Sequence, residues 1–184
     1  MSEVLKESET KMQKGIEALK RSFAGVRTGR ANPALLDHVR VNYYGSQVPL
    51  KQLAQVAVPE PRMIVVTPYD KNAAQEIEKA ILTSDLGINP KREAGLIRLV
   101  LPELSEERRK DLVKLIKKES EEGKVEIRNI RREAIEKLKK MKGGREITED
   151  DEKVQDKKVQ ELTDKYIAEI EKLLAAKEKE IMEV

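Results

Sequence analysis

Lys110, Lys114, Lys117, Lys124, Arg128 and Arg131 follow a three-and-four spacing that only Glu121 interrupts. On a helix that spacing stacks the side chains in one row. The chemistry such a row can do is phosphate binding, with each lysine acting as a point charge and each arginine as a planar fork that can donate two parallel hydrogen bonds. Glu119, Glu122, Glu126 and Glu133 fall on the opposite flank. A solvated helix ordinarily mixes its signs, because each i,i+4 pair contributes about 0.2–0.5 kcal/mol, so separating them forgoes local stability. Two recipients fit the row equally well: an external phosphate backbone, or an acidic helix of the same chain. Neither offers readout of bases. With one Phe, four Tyr and no Trp, the chain has few rings for stacking on single strands, so an RNA partner would be a folded one, recognised by shape and phosphate contact.

Other chemistries find little support. His38 is the single histidine and there is no cysteine, which excludes His-paired nucleophiles, multi-His or thiolate metal sites, and disulfides. No Gly-rich phosphate loop is present. The run Glu149-Asp150-Asp151-Glu152 could be imagined around a divalent cation, but at a helix start it is explained by capping and by the helix dipole. Tyr43 and Tyr44 are adjacent in a strand-like stretch, so one ring should face a core and the other the surface. No catalytic residue, cofactor or metal is assigned.

The elements that must position the basic row are readable from proline. All seven prolines lie between Pro33 and Pro102, and the stretches on either side are charged and helically periodic. In the first, Leu5, Met12, Leu19 and Val26 recur every seven residues with Ile16 and Phe23 between them, and Gly29 and Pro33 end the pattern. A second helix is predicted from Ser105 as N-cap to Gly143-Gly144, burying Leu112, Ile116, Gly123, Ile127, Ile130, Ala134 and Met141. A third opens at Thr148 with capping-box spacing and buries Val159, Leu162, Tyr166, Ile170, Leu173 and Ile181. Three such stripes need one another, which predicts a long antiparallel three-helix bundle. The proline-bearing block reads as strands at 39–44, 55–58, 63–67 and 96–101, turns at Gly45-Ser46 and Pro59-Glu60-Pro61, and a helix at 72–84. The fold class is α+β: a bundle domain of residues 1–30 plus 105–184, with a small α+β domain, 31–104, inserted. Gly29, Arg30 and Ala31 on one connector and Glu103, Leu104 and Ser105 on the other form a two-strand hinge.

Residues 105–142 carry 14 basic and 9 acidic groups, whereas residues 146–184 carry 7 and 13, within a net charge of only +3. Such segregation suits a surface that meets a polyanion on one side. No apolar run approaches the ~20 residues a membrane span needs, and the first residues lack a signal peptide's apolar core. A cytoplasmic chain that acts as a monomer away from membranes is expected.

Several stretches resemble the bacterial ribosome recycling factor family: Val26-Arg-Thr-Gly-Arg-Ala-Asn-Pro33, Val41-Asn-Tyr-Tyr-Gly45, Leu50-Lys-Gln-Leu-Ala54, Glu78-Lys-Ala-Ile-Leu-Thr-Ser-Asp-Leu-Gly-Ile-Asn-Pro90, Leu101-Pro-Glu-Leu-Ser-Glu-Glu-Arg-Arg-Lys110, Val125-Glu-Ile-Arg-Asn-Ile-Arg-Arg-Glu133 and Ile147-Thr-Glu-Asp-Asp151. They span nearly the whole chain in the family's order. The resemblance implies an L-shaped molecule of transfer-RNA size, in which a three-helix bundle carries a hinged β/α/β lobe. It implies a non-enzymatic translation factor that binds the large ribosomal subunit after termination. With elongation factor G and that partner's GTP hydrolysis, such a factor splits the ribosome, allowing release of mRNA and tRNA. The family's RNA-contacting arginines match Arg128, Arg131 and Arg27, Arg30 lies in the matching hinge motif, and the lobe would face elongation factor G. The candidate RNA-binding set is therefore Lys114, Lys117, Lys124, Arg128, Arg131 and Arg132 with Arg27. The rival readings are a general RNA-binding protein and a self-associating coiled-coil scaffold.

Overall fold

In the computed structural model, which describes residues 2–183, the elements in chain order are α1 (Glu3–Ala24), β1 (Arg40–Tyr43), β2 (Ser46–Pro49), the single turn α2 (Leu50–Leu53), β3 (Ala54–Glu60), β4 (Met63–Pro68), α3 (Ala74–Leu82), β5 (Pro90–Glu93), β6 (Leu96–Val100), α4 (Glu106–Gly143) and α5 (Glu149–Met182). Short 3-10 turns occur at Pro33–Leu36 and Lys71–Ala73. Two compact units result. One joins the chain up to Arg27 with the segment from Glu106 onward; the other is Thr28–Ser105.

The first unit is a bundle of α1, α4 and α5. Its directions follow from the ion pairs: Glu7 meets Lys137 and Lys11 meets Glu133, so α1 and α4 run antiparallel, while Lys117–Glu178 and Lys142–Glu152 make α4 and α5 antiparallel as well. Val4, Leu5, Met12, Ile16, Leu19 and Phe23 bury one face of α1. Ser2 opens that helix by accepting the Leu5 N–H. The helix ends earlier than the seven-residue pattern suggests, because Gly25 caps it through the carbonyls of Arg21 and Ser22, and Val26 lies beyond the cap and is only half-buried. With 38 residues, α4 is about 57 Å long. Its core stripe includes Ser120 and Leu138, whereas Gly123 and Met141 sit at the margin of the stripe. On α5, Glu152 and Thr163 join Val159, Tyr166, Ile170 and Ile181 inside, and Leu162 and Leu173 are half-buried.

The turn between α4 and α5 uses its residues differently from the Gly143-Gly144 stop read in the sequence. Glu146 N–H bonds Met141 O and Arg145 N–H bonds Lys142 O, and Arg145, not a glycine, takes the left-handed conformation at φ 58°. This is a Schellman-type ending with a strained residue at its usual glycine position. α5 then starts on a complete capping box: Thr148 Oγ1 accepts from Asp151 N–H at 3.1 Å, and Asp151 Oδ2 accepts from Thr148 N–H at 3.0 Å.

In the second unit, α3 packs against β1 and against a four-stranded antiparallel sheet of order β3-β4-β6-β5, while β1 pairs β2 as a separate hairpin. Val41, Ile64, Val66, Ile77, Ile81, Ile97 and Leu99 form one core between them. Two of the hairpin turns have positive φ at each position, Tyr44-Gly45 (48° and 82°) and Ala94-Gly95 (45° and 81°), which matches the right-handed twist of the strands they join. Pro59 and Glu60 are within β3 and the reversal falls at Pro61-Arg62, so the turn lies later than the Pro-Glu-Pro reading placed it.

Candidate nucleic-acid interface

Packing α4 between two partners sorts its charged residues into three sets. On the flank that meets α1, Glu119 accepts a hydrogen bond from Ser22 at 2.8 Å, Glu133 pairs with Lys11 at 3.3 Å, and Lys137 reaches Glu7 at 2.6 Å. Glu126 lies over Gly15, where a Cβ would stand 3.6 Å from its carboxyl carbon. Two of the four acids on that flank, Glu119 and Glu133, thus have partners on α1. Lys137 and Lys11 beside it hold the Glu7 carboxyl below its ordinary range, and Glu133 and Glu7 push the Lys11 ammonium above its own.

On the flank that meets α5, Lys117 pairs with Glu178 at 3.7 Å, Lys124 with Glu171 at 3.4 Å and with Glu121 at 3.3 Å, and Lys142 with the buried Glu152 at 2.5 Å. The hydrogen bond that Lys142 donates to Glu152 raises its ammonium above the usual range. So Lys117 and Lys124, two members of the basic row, are engaged by the acidic helix.

The third set makes no ion pair with either neighbour. Lys114, Arg128 and Arg132 are exposed, as is Lys118 outside the row, and none of them makes an ion pair among the described residues. Arg131 is half-buried, makes no ion pair among those residues, and keeps a buried Nε without a hydrogen-bond partner, so its donor capacity is unmet within the chain. Both recipients left open by the spacing are therefore represented: α5 takes Lys117 and Lys124, Lys110 pairs within α4 with Glu106 at 3.2 Å, and Lys114, Arg128 and Arg131 have no ion-pair partner among the described residues. Arg27 is exposed just past the cap of α1. The antiparallel register sets it level with the Lys114 end of α4, about 20 Å along the axis from Arg128.

The connector residues belong to the lobe unit. Gly29 adopts φ 75°, a conformation that favours glycine, and a Cβ there would come within 3.2 Å of Leu104 Cγ and press that side chain aside. Ala31 N–H donates to Pro61 O at 2.6 Å, Leu101 N–H to Arg62 O at 2.8 Å, and Arg62 pairs with Glu103 at 3.7 Å. The two connectors are thereby fastened to the β3–β4 turn. Arg30 and Ser105 lie in the same unit.

At another edge of the lobe, Tyr43 ends β1 half-buried with its hydroxyl donating to Asp70 at 3.0 Å, while Tyr44 is 80% exposed because it is the first residue of the turn rather than part of the strand, its ring edge-to-face on Tyr43 at 4.5 Å. That hydrogen bond to Asp70 raises the Tyr43 hydroxyl above its ordinary range. Tyr69, to which sequence reasoning assigns nothing, is 71% exposed; its position directly after Pro68 at a strand end is the available signal. Asn42, Asn72 and Glu76 line a shallow recess of about 270 Å³ beside Tyr44. Among the described residues no three His, Cys, Asp or Glu side chains group to hold a metal ion, and no helix is long and apolar enough to cross a membrane.

The family model described as ribosome recycling factor matches residues 19–182. The ribosome-recycling factor of Caldicellulosiruptor saccharolyticus is 59% identical over 184 residues, all of both chains, and that of Bacillus subtilis is 53% identical over 99% of this chain and 98% of its own. A solution structure of the ribosome recycling factor superposes with a TM-score of 0.78 at 49% identity, covering 98% of this chain and 96% of that one. A second solved structure, of the Thermus thermophilus factor with Escherichia coli elongation factor G on the Escherichia coli post-termination complex, gives a TM-score of 0.64 at 49% identity, with 98% of each chain covered. The long bundle, the α+β lobe and these full-length likenesses agree: the chain belongs to the ribosome recycling factor family.

Proposed function

We propose that this chain binds ribosomal RNA of the large subunit through the outward face of α4. With elongation factor G and GTP hydrolysis by that factor, it then splits the post-termination ribosome into subunits, so that mRNA and tRNA leave. The observation that carries the RNA-facing reading is the set Lys114, Arg128, Arg131 and Arg132, cations on one long helix with no acidic partner among the described residues. The partners are supported by the Thermus relative, whose solved structure has it on the post-termination complex together with elongation factor G. The role is mechanical, with no catalytic residue and no cofactor.

In this reading the bundle is the anchor. Arginine forks on phosphate give charge-assisted hydrogen bonds that fix the rod's position without reading sequence. The lobe is the part on which elongation factor G acts, and the connectors at Gly29-Arg30-Ala31 and Glu103-Leu104-Ser105 carry the displacement to the bundle. Arg131→Ala tests the anchor. It should weaken binding to isolated large subunits and lower the slope of log affinity against log salt by about one, with the melting temperature unchanged. Undiminished subunit binding by a folded Arg131→Ala protein would remove the role given to this face.

A further inference from the structure

Between Lys118 and Arg128 the outward side of α4 is not simply basic. Lys124 is clasped by two carboxylates, Glu121 at 3.3 Å and Glu171 at 3.4 Å, and its side chain is only 13% exposed, although those of its partners are 66% and 61% exposed. Glu178 reaches Lys117 at 3.7 Å. Lys124 set against Glu121 and Glu171 leaves this middle stretch with a net charge of −1, and the Lys117–Glu178 pair beside Lys118 is neutral. Toward one end of α4 lie Lys114 and Lys118, toward the other Arg128, Arg131 and Arg132, so the exposed cations form two patches separated by about 15 Å of helix. A generic duplex lying along α4 would meet repulsion midway, and Lys124 could reach a phosphate only by leaving both carboxylates.

We propose that Glu121 and Glu171, assisted by Glu178, withhold Lys124 and Lys117 from phosphate, so that α4 accepts an RNA surface presenting phosphates at two separated places and discriminates against a continuous duplex. Specificity of this kind comes from a built-in repulsive element rather than from an added attraction. The inference rests on the RNA-facing role proposed above. These carboxylates are specificity-determining residues for that role.

The test uses the full chain carrying Glu121→Gln together with Glu171→Gln. Binding to a duplex RNA of about 20 base pairs and to isolated large subunits is followed from about 50 to about 200 mM salt. Each additional phosphate neutralised adds about 0.9 to the salt slope, so the ratio of duplex affinities across that range should grow about threefold per phosphate. The preference for subunit over duplex should shrink. Adding Lys124→Gln to the pair should cancel the steeper slope. Glu60→Gln with Glu76→Gln makes the same charge change in the lobe and should leave the duplex slope alone. An unchanged slope in the Glu121/Glu171 variant, a steeper slope that survives Lys124→Gln, or an equal steepening in the lobe variant would each overturn the clasp. Failure of the unaltered chain to bind large subunits would instead sink the proposed function, while the duplex slopes would still decide the clasp.

Discussion

Arg131 and Arg145 are both arginines whose surroundings do not fully satisfy them, for different reasons and with different consequences. Arg131 retains an unpartnered buried Nε and makes no ion pair among the described residues, which suits a residue completed by an external phosphate. Arg145 is held at φ 58° to close α4, a backbone state that costs a side chain-bearing residue about 1–2 kcal/mol and that glycine adopts freely. Arg145→Gly should therefore raise the melting temperature, against the usual direction of a glycine substitution, and calorimetry of the two proteins checks it. An equal or lower melting temperature would mean that the guanidinium contributes more elsewhere than the turn loses. At this scale the sequence was only partly informative. Lys124 and Arg128 occupy equivalent places in the one-dimensional row, and their different fates depend on which flank α5 covers, a fact that spacing within one helix does not contain.

The helices of the bundle are tied at their flanks by charge pairs whose titration sets a pH window. Glu7 and Asp151 are held below the ordinary carboxylate range, Glu7 chiefly by Lys137 and Asp151 chiefly by the Thr148 side chain. A depressed carboxyl stabilises the fold above its unfolded-state value, and that contribution is lost as pH falls through the folded one. Lys11 and Lys142 are raised by Glu133 and Glu152, so their contribution is complete below the ordinary lysine value of 10.5 and is lost as pH climbs through the raised one. Melting temperature should thus be flat across neutral pH and fall at both extremes. Glu7→Gln should flatten the acid limb below about pH 4.5, and an acid limb parallel to that of the parent would contradict the assignment. The elements themselves were legible to unequal degrees. Proline confinement and the Thr148 capping box located the long helices, because those signals are local. β5 reads Pro-Lys-Arg-Glu, with no alternation and no β-branched residue; it is a strand because β6 pairs with it, and β2 likewise exists through β1. Val26 keeps the seven-residue rhythm but lies past Gly25, whose capping bonds end the helix first.

The molecule as a whole joins a charged rod to a lobe whose connectors are fastened to its own β3–β4 turn through Ala31, Leu101 and Glu103. The two-unit plan was visible because proline cannot lie inside helices, whereas the fastening of the connectors was not, since it depends on pairings between residues about 30 or more positions apart. The central claim is that this chain, with elongation factor G and GTP, separates ribosomal subunits. It is tested most directly by light scattering of post-termination ribosomes mixed with all three, beside mixtures that omit one at a time. A drop in scattering is expected in the complete mixture alone. An unchanged signal with a matched elongation factor G, or a drop that needs no recycling factor, would contradict the claim.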